Sequence, residues 1–244
     1  MIRRIGLIMA PLALLPFFQW YRGTPHQDAA IKELEDSIPQ DLLQEDAAWF
    51  EAWKESGIAQ RAYVPYFSQL DDESGEGYRM CLTAAAAMVA ATMGKVNTYA
   101  EYKKVREKFG DTTLVKAHLD ALKSLGLNAE FRTDADDALV EAEIASGRPV
   151  LVGWLHHGDL TLGEPPQCSS WACGHWSVVT GYEGIRSANS NWVMHDPMGL
   201  PNIELGGHAR RHGGKNIKVP RAAFRRRWQV EGPATGWVIL VDDE

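Results

Sequence analysis

Several things are scarce in this chain, and each scarcity excludes a class. Three cysteines in 244 residues cannot form the disulfide framework of a small secreted scaffold. Basic residues do not outnumber acidic ones: 25 Lys and Arg stand against 32 Asp and Glu. The resulting net charge of −7 opposes indiscriminate capture of nucleic acid. A long apolar run is also missing. The best candidate, Ile5 to Phe18 after Arg3-Arg4, is interrupted by Pro11 and Pro16 and falls short of the ~20 residues that a spanning helix needs, so no stable transmembrane span is expected. There is no internal repeat and no low-complexity tract. Gly213-Gly214-Lys215 lacks the preceding strand and following helix of a phosphate-binding loop. His208 and His212 are four apart, but they flank Ala-Arg-Arg and have no glutamate placed as a zinc peptidase requires. Neither a metal nor a cofactor is expected.

What remains is an ordinary globular composition, 45% apolar and 23% charged, which argues against disorder. The informative stretch runs from Val64 to Met93. Val-Pro-Tyr-Phe-Ser-Gln69 reads as extended. After a polar loop, Cys81 opens Leu-Thr-Ala-Ala-Ala-Ala-Met-Val-Ala-Ala-Thr-Met93, a helix that nothing interrupts before Gly94. A sulfur in that first turn faces unpaired backbone N–H groups and the positive end of the helix dipole, which stabilise negative charge. Gln69 supplies a neutral upstream donor suited to an oxyanion. The partner base is His175 in Gly-His-Trp-Ser-Val-Val-Thr-Gly-Tyr182, at the start of a strand-like run. Asn-Trp-Val-Met-His-Asp196-Pro197 follows as a second strand whose end presents a carboxylate able to orient the imidazole. A single cysteine at a helix start is most often a small buried residue, and an acid before proline at a strand end, like Asp196, is also a routine turn residue. Their occurrence in this order, each on the expected kind of element, points to a thiol hydrolase.

These motifs resemble the papain-like cysteine peptidases related to the bacteriocin-processing, double-glycine-leader enzymes, over roughly Tyr63 to Asp242. The resemblance implies Cys81 as nucleophile, His175 as base, Asp196 as orienter and Gln69 as oxyanion donor. Two departures stand out. Leu82-Thr83 follows the cysteine where the family commonly has Gly-Pro, and Asp71 to Gly77 adds an acidic, glycine-rich turn. Gly-Tyr-Arg-Met before the cysteine and Arg-Trp-Gln-Val-Glu-Gly-Pro near the end look most like phage-encoded members associated with virions or lysis. That likeness implies a substrate among the peptides of peptidoglycan, and a location in a phage virion or the bacterial cell envelope. The alternatives are a protein- or leader-processing peptidase, a host-cytoplasmic location, or a virion structural (tail or assembly) protein that retains the fold.

The expected fold class is α+β: a helical part with Cys81 at a helix start, packed on an antiparallel sheet that carries His175 and Asp196. Helices are expected over Thr98 to Phe109, Asp111 to Leu125 and Ala135 to Ser146, with a short strand at Ala129 to Arg132 and later strands at Val150 to Trp154 and Gly236 to Val241. Residues 61–244 form the peptidase domain and residues 1–60 an N-terminal extension. In the extension, the apolar tail reads either as an export or anchor segment or as a docking tail. Leu42, Leu43, Trp49, Phe50 and Trp53 share one face of an acidic helix that packs on the domain or on a partner, so residues 1–57 are the candidate surface for virion or tail proteins. Cys168 and Cys173 can bridge a loop or stay as two thiols. From Arg210 to Arg227 the chain holds eight Lys or Arg and no acid, read as a solvated face or as the complement of the acidic Thr24 to Gly57 region.

Overall fold

The computed structural model describes residues 63–163, 166, 173–183 and 190–243. The expectations for residues 1–60 and for Cys168 lie outside them. Helix α1, Cys81–Thr92, is apolar on every side and buried from Leu82 to Ala90, as suits a helix enclosed by other elements. Its alanines leave no bulk, so neighbours approach closely. It closes on a Schellman motif: Gly94, at φ +69°, donates to the Ala91 carbonyl, and the Lys95 N–H reaches the Ala90 carbonyl. Helices α2, Tyr99–Arg106, and α3, Val115–Ser124, lie beside it. Thr98 caps α2 through its hydroxyl, as the sequence motif requires.

Two boundaries differ from expectation. Helix α3 begins four residues after Asp111, because Asp111 instead accepts from the Thr113 N–H and hydroxyl in an Asx turn. The expected Ala135 start of the next helix also moves. Strand β1 extends over Leu127–Ala135, and α4, Asp137–Ala145, is capped by the Asp136 carboxylate on the Leu139 N–H.

Six strands make one antiparallel sheet. Besides β1 it contains β2, Val150–Leu155; β3, Gly174–Glu183; β4, Asn191–His195; β7, Ile217–Pro220; and β8, Gly236–Asp243, in the order β1-β8-β2-β3-β4-β7. A two-stranded pair, β5, Leu200–Pro201, and β6, His208–Arg210, stands apart. The α+β class and the papain-like arrangement of helices on an antiparallel sheet are as expected. Helix α5, Arg221–Trp228, was not among the expected helices, and with α4 it covers the second face of the sheet.

Strand periodicity divides the core. Leu151, Val178 and Ile239 face α1, while Val150, Val152, Val179 and Val238 face the other way, toward Val140, Ile144, Phe224 and Trp228. The continuous apolar run Val150-Leu-Val is the mark of a strand buried on both faces. The basic stretch is not a plain solvated face. Arg221 pairs with Glu141 and lies 3.8 Å from the Trp192 ring centre, and Arg225 pairs with Asp137, so α5 complements α4. Among the described residues, no helix is long and apolar enough to cross a membrane.

Candidate active site

The geometry starts from strand register. In the β2–β3 ladder His175 lies opposite Trp154, and in the β3–β4 ladder Val178 lies opposite His195. Asp196, the residue after β4, therefore leaves the sheet beside the start of β3. Its carboxylate is buried and accepts a bifurcated bond from His175 Nε2, 3.0 Å to each oxygen. Oδ1 also accepts from the Met198 N–H at 2.8 Å and the Gly199 N–H at 3.3 Å, and Oδ2 from the Ser177 hydroxyl at 3.0 Å. Trp154 Nε1 donates to the Ser177 oxygen at 3.0 Å, which fixes that hydroxyl in turn. Burial by itself would raise the Asp196 pKa, but the two histidines bonded to it hold its carboxyl well below the usual carboxylate range.

His175 is buried as well, between the edge of Trp154 at 5.4 Å and the stacked ring of His156 at 5.0 Å. Burial pulls the imidazole down. The Asp196 charge and hydrogen bond, with a further hydrogen bond and charge interaction from Cys81, outweigh it and push His175 up to about 10. With Nε2 committed to Asp196, Nδ1 is left for the sulfur. Cys81 is the first residue of α1 and only partly buried, so the thiol meets solvent while the imidazole and carboxylate behind it do not.

Gln69 is fully buried. Its Nε2 donates one hydrogen to the Gly77 carbonyl at 2.7 Å, which leaves the second amide hydrogen uncommitted, and Oε1 has no hydrogen-bond partner. Gly77 must be glycine for this contact, since a Cβ there would lie 2.6 Å from the Gln69 carbonyl oxygen. The Gln69 segment is in turn tied to the Asp196 turn. The Gln69 N–H reaches the Pro197 carbonyl at 2.9 Å, and the Tyr66 hydroxyl donates to the Asp196 carbonyl at 3.0 Å.

Sequence reasoning missed three contributors. Ser177 is two residues beyond His175 on one strand face, a spacing that could have found it. Trp154 and His208 reach the site only through the fold. His208, dismissed with His212 as a loop histidine, bonds Asp196 Oδ1 at 3.1 Å through Nε2. His175, Asp196 and His208 are, among the described residues, the one group whose donor atoms converge closely enough for a metal, within 4.8 Å. Each imidazole in it is already accounted for by its bond to the carboxylate. Cys173, just before His175, is disulfide-bonded, whereas Cys81 is free.

Residues 61–234 match the sequence model of the Peptidase C39-like family. The chain belongs to that family. It is a cysteine peptidase, consistent with a thiol, an imidazole and a carboxylate in series. Among solved structures, a double-glycine-motif protease of an AMS/PCAT transporter, in complex with its leader peptide, is 19% identical and aligns over 75% of this chain and 94% of its own, with a TM-score of 0.41. The peptidase domain of Streptococcus ComA, a bifunctional ABC transporter of a quorum-sensing pathway, is 17% identical over 75% and 99%, with a TM-score of 0.43. A C39-like peptidase from Bacillus anthracis is 16% identical over 74% and 96%, with a TM-score of 0.47. No curated protein sequence matches the chain.

Proposed function

We propose that this peptidase cleaves peptide bonds with Cys81 as nucleophile, His175 as acid and base, Asp196 as orienter and Gln69 as oxyanion donor. The observation that carries the reading is one imidazole held by a buried carboxylate through Nε2 while interacting with the partly buried cysteine that opens α1. The Cys81 thiolate attacks the carbonyl carbon, and the oxygen that becomes negative is met by the spare Gln69 amide hydrogen and the Cys81 backbone N–H. The His175 imidazolium gives its proton to the departing amine. Neutral His175 then takes a proton from water, which attacks the thioester and releases the acid.

As substrate we propose peptides of peptidoglycan, with the enzyme outside the cytoplasm, in the cell envelope or a phage particle. The sequence likeness to virion- and lysis-associated members supports this. So does the disulfide at Cys173, a bond that persists in oxidising compartments. In this reading residues 61–244 are the catalytic domain and residues 1–57 meet virion or tail proteins. Family membership favours a second reading, in which the substrate is a leader or other protein segment.

The test offers the purified chain and Cys81→Ala cell-wall suspensions, isolated stem and cross-link peptides, and a double-glycine leader peptide. Clearing or cleavage by wild type alone supports hydrolysis through Cys81. Cleavage confined to the leader peptide replaces the peptidoglycan reading with the second. Activity that survives Cys81→Ala overturns both.

A further inference from the structure

Asp196 serves two imidazoles, and the function above uses only one. His208 opens β6, and its Nε2 donates to Asp196 Oδ1 at 3.1 Å, with its ring edge-on to His175 at 5.0 Å between centres. The hairpin that carries it is already fastened elsewhere. Arg227, fully buried, donates to the carbonyls of Leu155, His157, Gly158, Ile203 and Glu204, so it binds the loop after β2 to the turn before β6. The Gly207 N–H also reaches the His156 carbonyl, and Leu160 N–H the Glu204 carbonyl at 2.8 Å. Gly206 sits against that loop at φ +81°, where a Cβ would meet the Gly158 oxygen at 2.7 Å. The bond from His208 to Asp196 is therefore not needed to hold the hairpin.

Resting on the reading of Asp196 as the orienter of His175, we propose that His208 is a positioning residue: it divides the carboxylate between two imidazoles and limits how tightly Asp196 holds the proton on His175. A carboxylate oxygen that already receives another donor is a weaker partner for the next. The consequence lies in the chemistry. An imidazolium bound too firmly protects the thiolate but gives its proton reluctantly to the leaving amine, and proton transfer is most effective when the group's affinity matches its surroundings. Among the described residues, the groups that face this cluster are His156, 5.0 Å from His175 and 5.6 Å from His208 between ring centres; His157, tilted against His156 at 4.0 Å; Tyr66, bonded to the Asp196 carbonyl; Cys81 across His175; and the Arg227 guanidinium behind the two loops.

The experiment titrates the histidine rings of the full-length protein by NMR and measures iodoacetamide alkylation of Cys81 against pH. His208→Phe removes the second donor, and His208→Gln retains an N–H. The expected result in His208→Phe is a His175 midpoint about one pH unit higher, a tenfold gain in proton affinity, with alkylation at neutral pH kept within about twofold of wild type. His208→Gln stays near wild type in both. A purely architectural His208 would instead lower alkylation and leave the midpoint unmoved or reduced, and that result overturns the proposal. Should His208→Phe fail to fold, His208→Ala takes its place: the same rise in the His175 midpoint is expected, and an unmoved midpoint contradicts the proposal. Failure of the underlying reading looks different, as alkylation of Cys81 that ignores His175→Ala.

Discussion

The proposed chemistry at the residue scale depends on Asp196 being surrounded by donors in a buried place. Asp196→Asn removes the charge that offsets the burial of His175. Its midpoint is then expected to fall from about 10 toward or below its ordinary 6.5, and hydrolysis to drop roughly 10²- to 10⁴-fold; ring titration and turnover check the two together. A midpoint that stays near 10 would show that another group holds the proton. The raised value also has a sign for stability. Because the folded state binds this proton more tightly than the unfolded chain, the contribution is full below pH 6.5 and is lost as pH rises toward 10. Cys81, His175 and Asp196 were legible as candidates because each stands at the end of an element marked by its composition or by its alternation. His208 was not. It comes to the carboxylate through a hairpin turned by Gly206 and Gly207, and no spacing from Asp196 encodes that return.

At the scale of elements, the site is held by close backbone approaches that tolerate no side chain. A Cβ at Gly214 would lie 2.0 Å from the Asp196 carbonyl oxygen and 2.9 Å from the Tyr66 hydroxyl. Gly214→Ala is expected to push the Asp196 turn away from β3 and lower turnover at least tenfold, more than it lowers the unfolding midpoint. Equal activity would mean that the turn shifts freely.

Helices α2 and α3 carry a separate pH response. His118, buried between them, donates from Nε2 to the Thr112 carbonyl at 2.9 Å and accepts from the Tyr102 hydroxyl at 3.1 Å through Nδ1, so it is held neutral. Burial, aided by Arg106, brings it down to about 4. The unfolded chain takes up this proton first, so stability is intact above pH 6.5 and falls by about 3 kcal/mol as pH drops to 4. Urea unfolding between pH 7.5 and pH 4 is expected to show the fall in wild type and a flatter curve in His118→Gln.

Over the whole molecule, α1 brings Cys81, the proposed nucleophile, and the sheet brings His175 and Asp196, so the proposed site forms only when the two layers pack. The thinness of α1 makes this possible. Ala86→Leu, at a fully buried position, is expected to cost about 1–3 kcal/mol and to slow Cys81 alkylation, read by unfolding and labelling side by side. The sheet with helices on it was readable from period-two runs and from the glycine stop after α1. On the far side α4 was readable as a helix but α5, inside the basic stretch, was not, although the unbroken apolar run of β2 called for cover on both faces. Strand order was beyond reach: β1 and β8, the first and last of the described strands, pair from Leu127↔Asp243 to Ala135↔Gly236, and nothing local announces that partnership.

The most direct measurement is the rate at which iodoacetamide alkylates Cys81 at pH 6, in wild type against His175→Ala. The imidazole held by Asp196 interacts with the Cys81 sulfur on its other side, so wild type is expected to react about 100-fold faster. Equal rates in the two folded proteins would mean that the imidazole does not act on the sulfur, and would contradict the account at its centre.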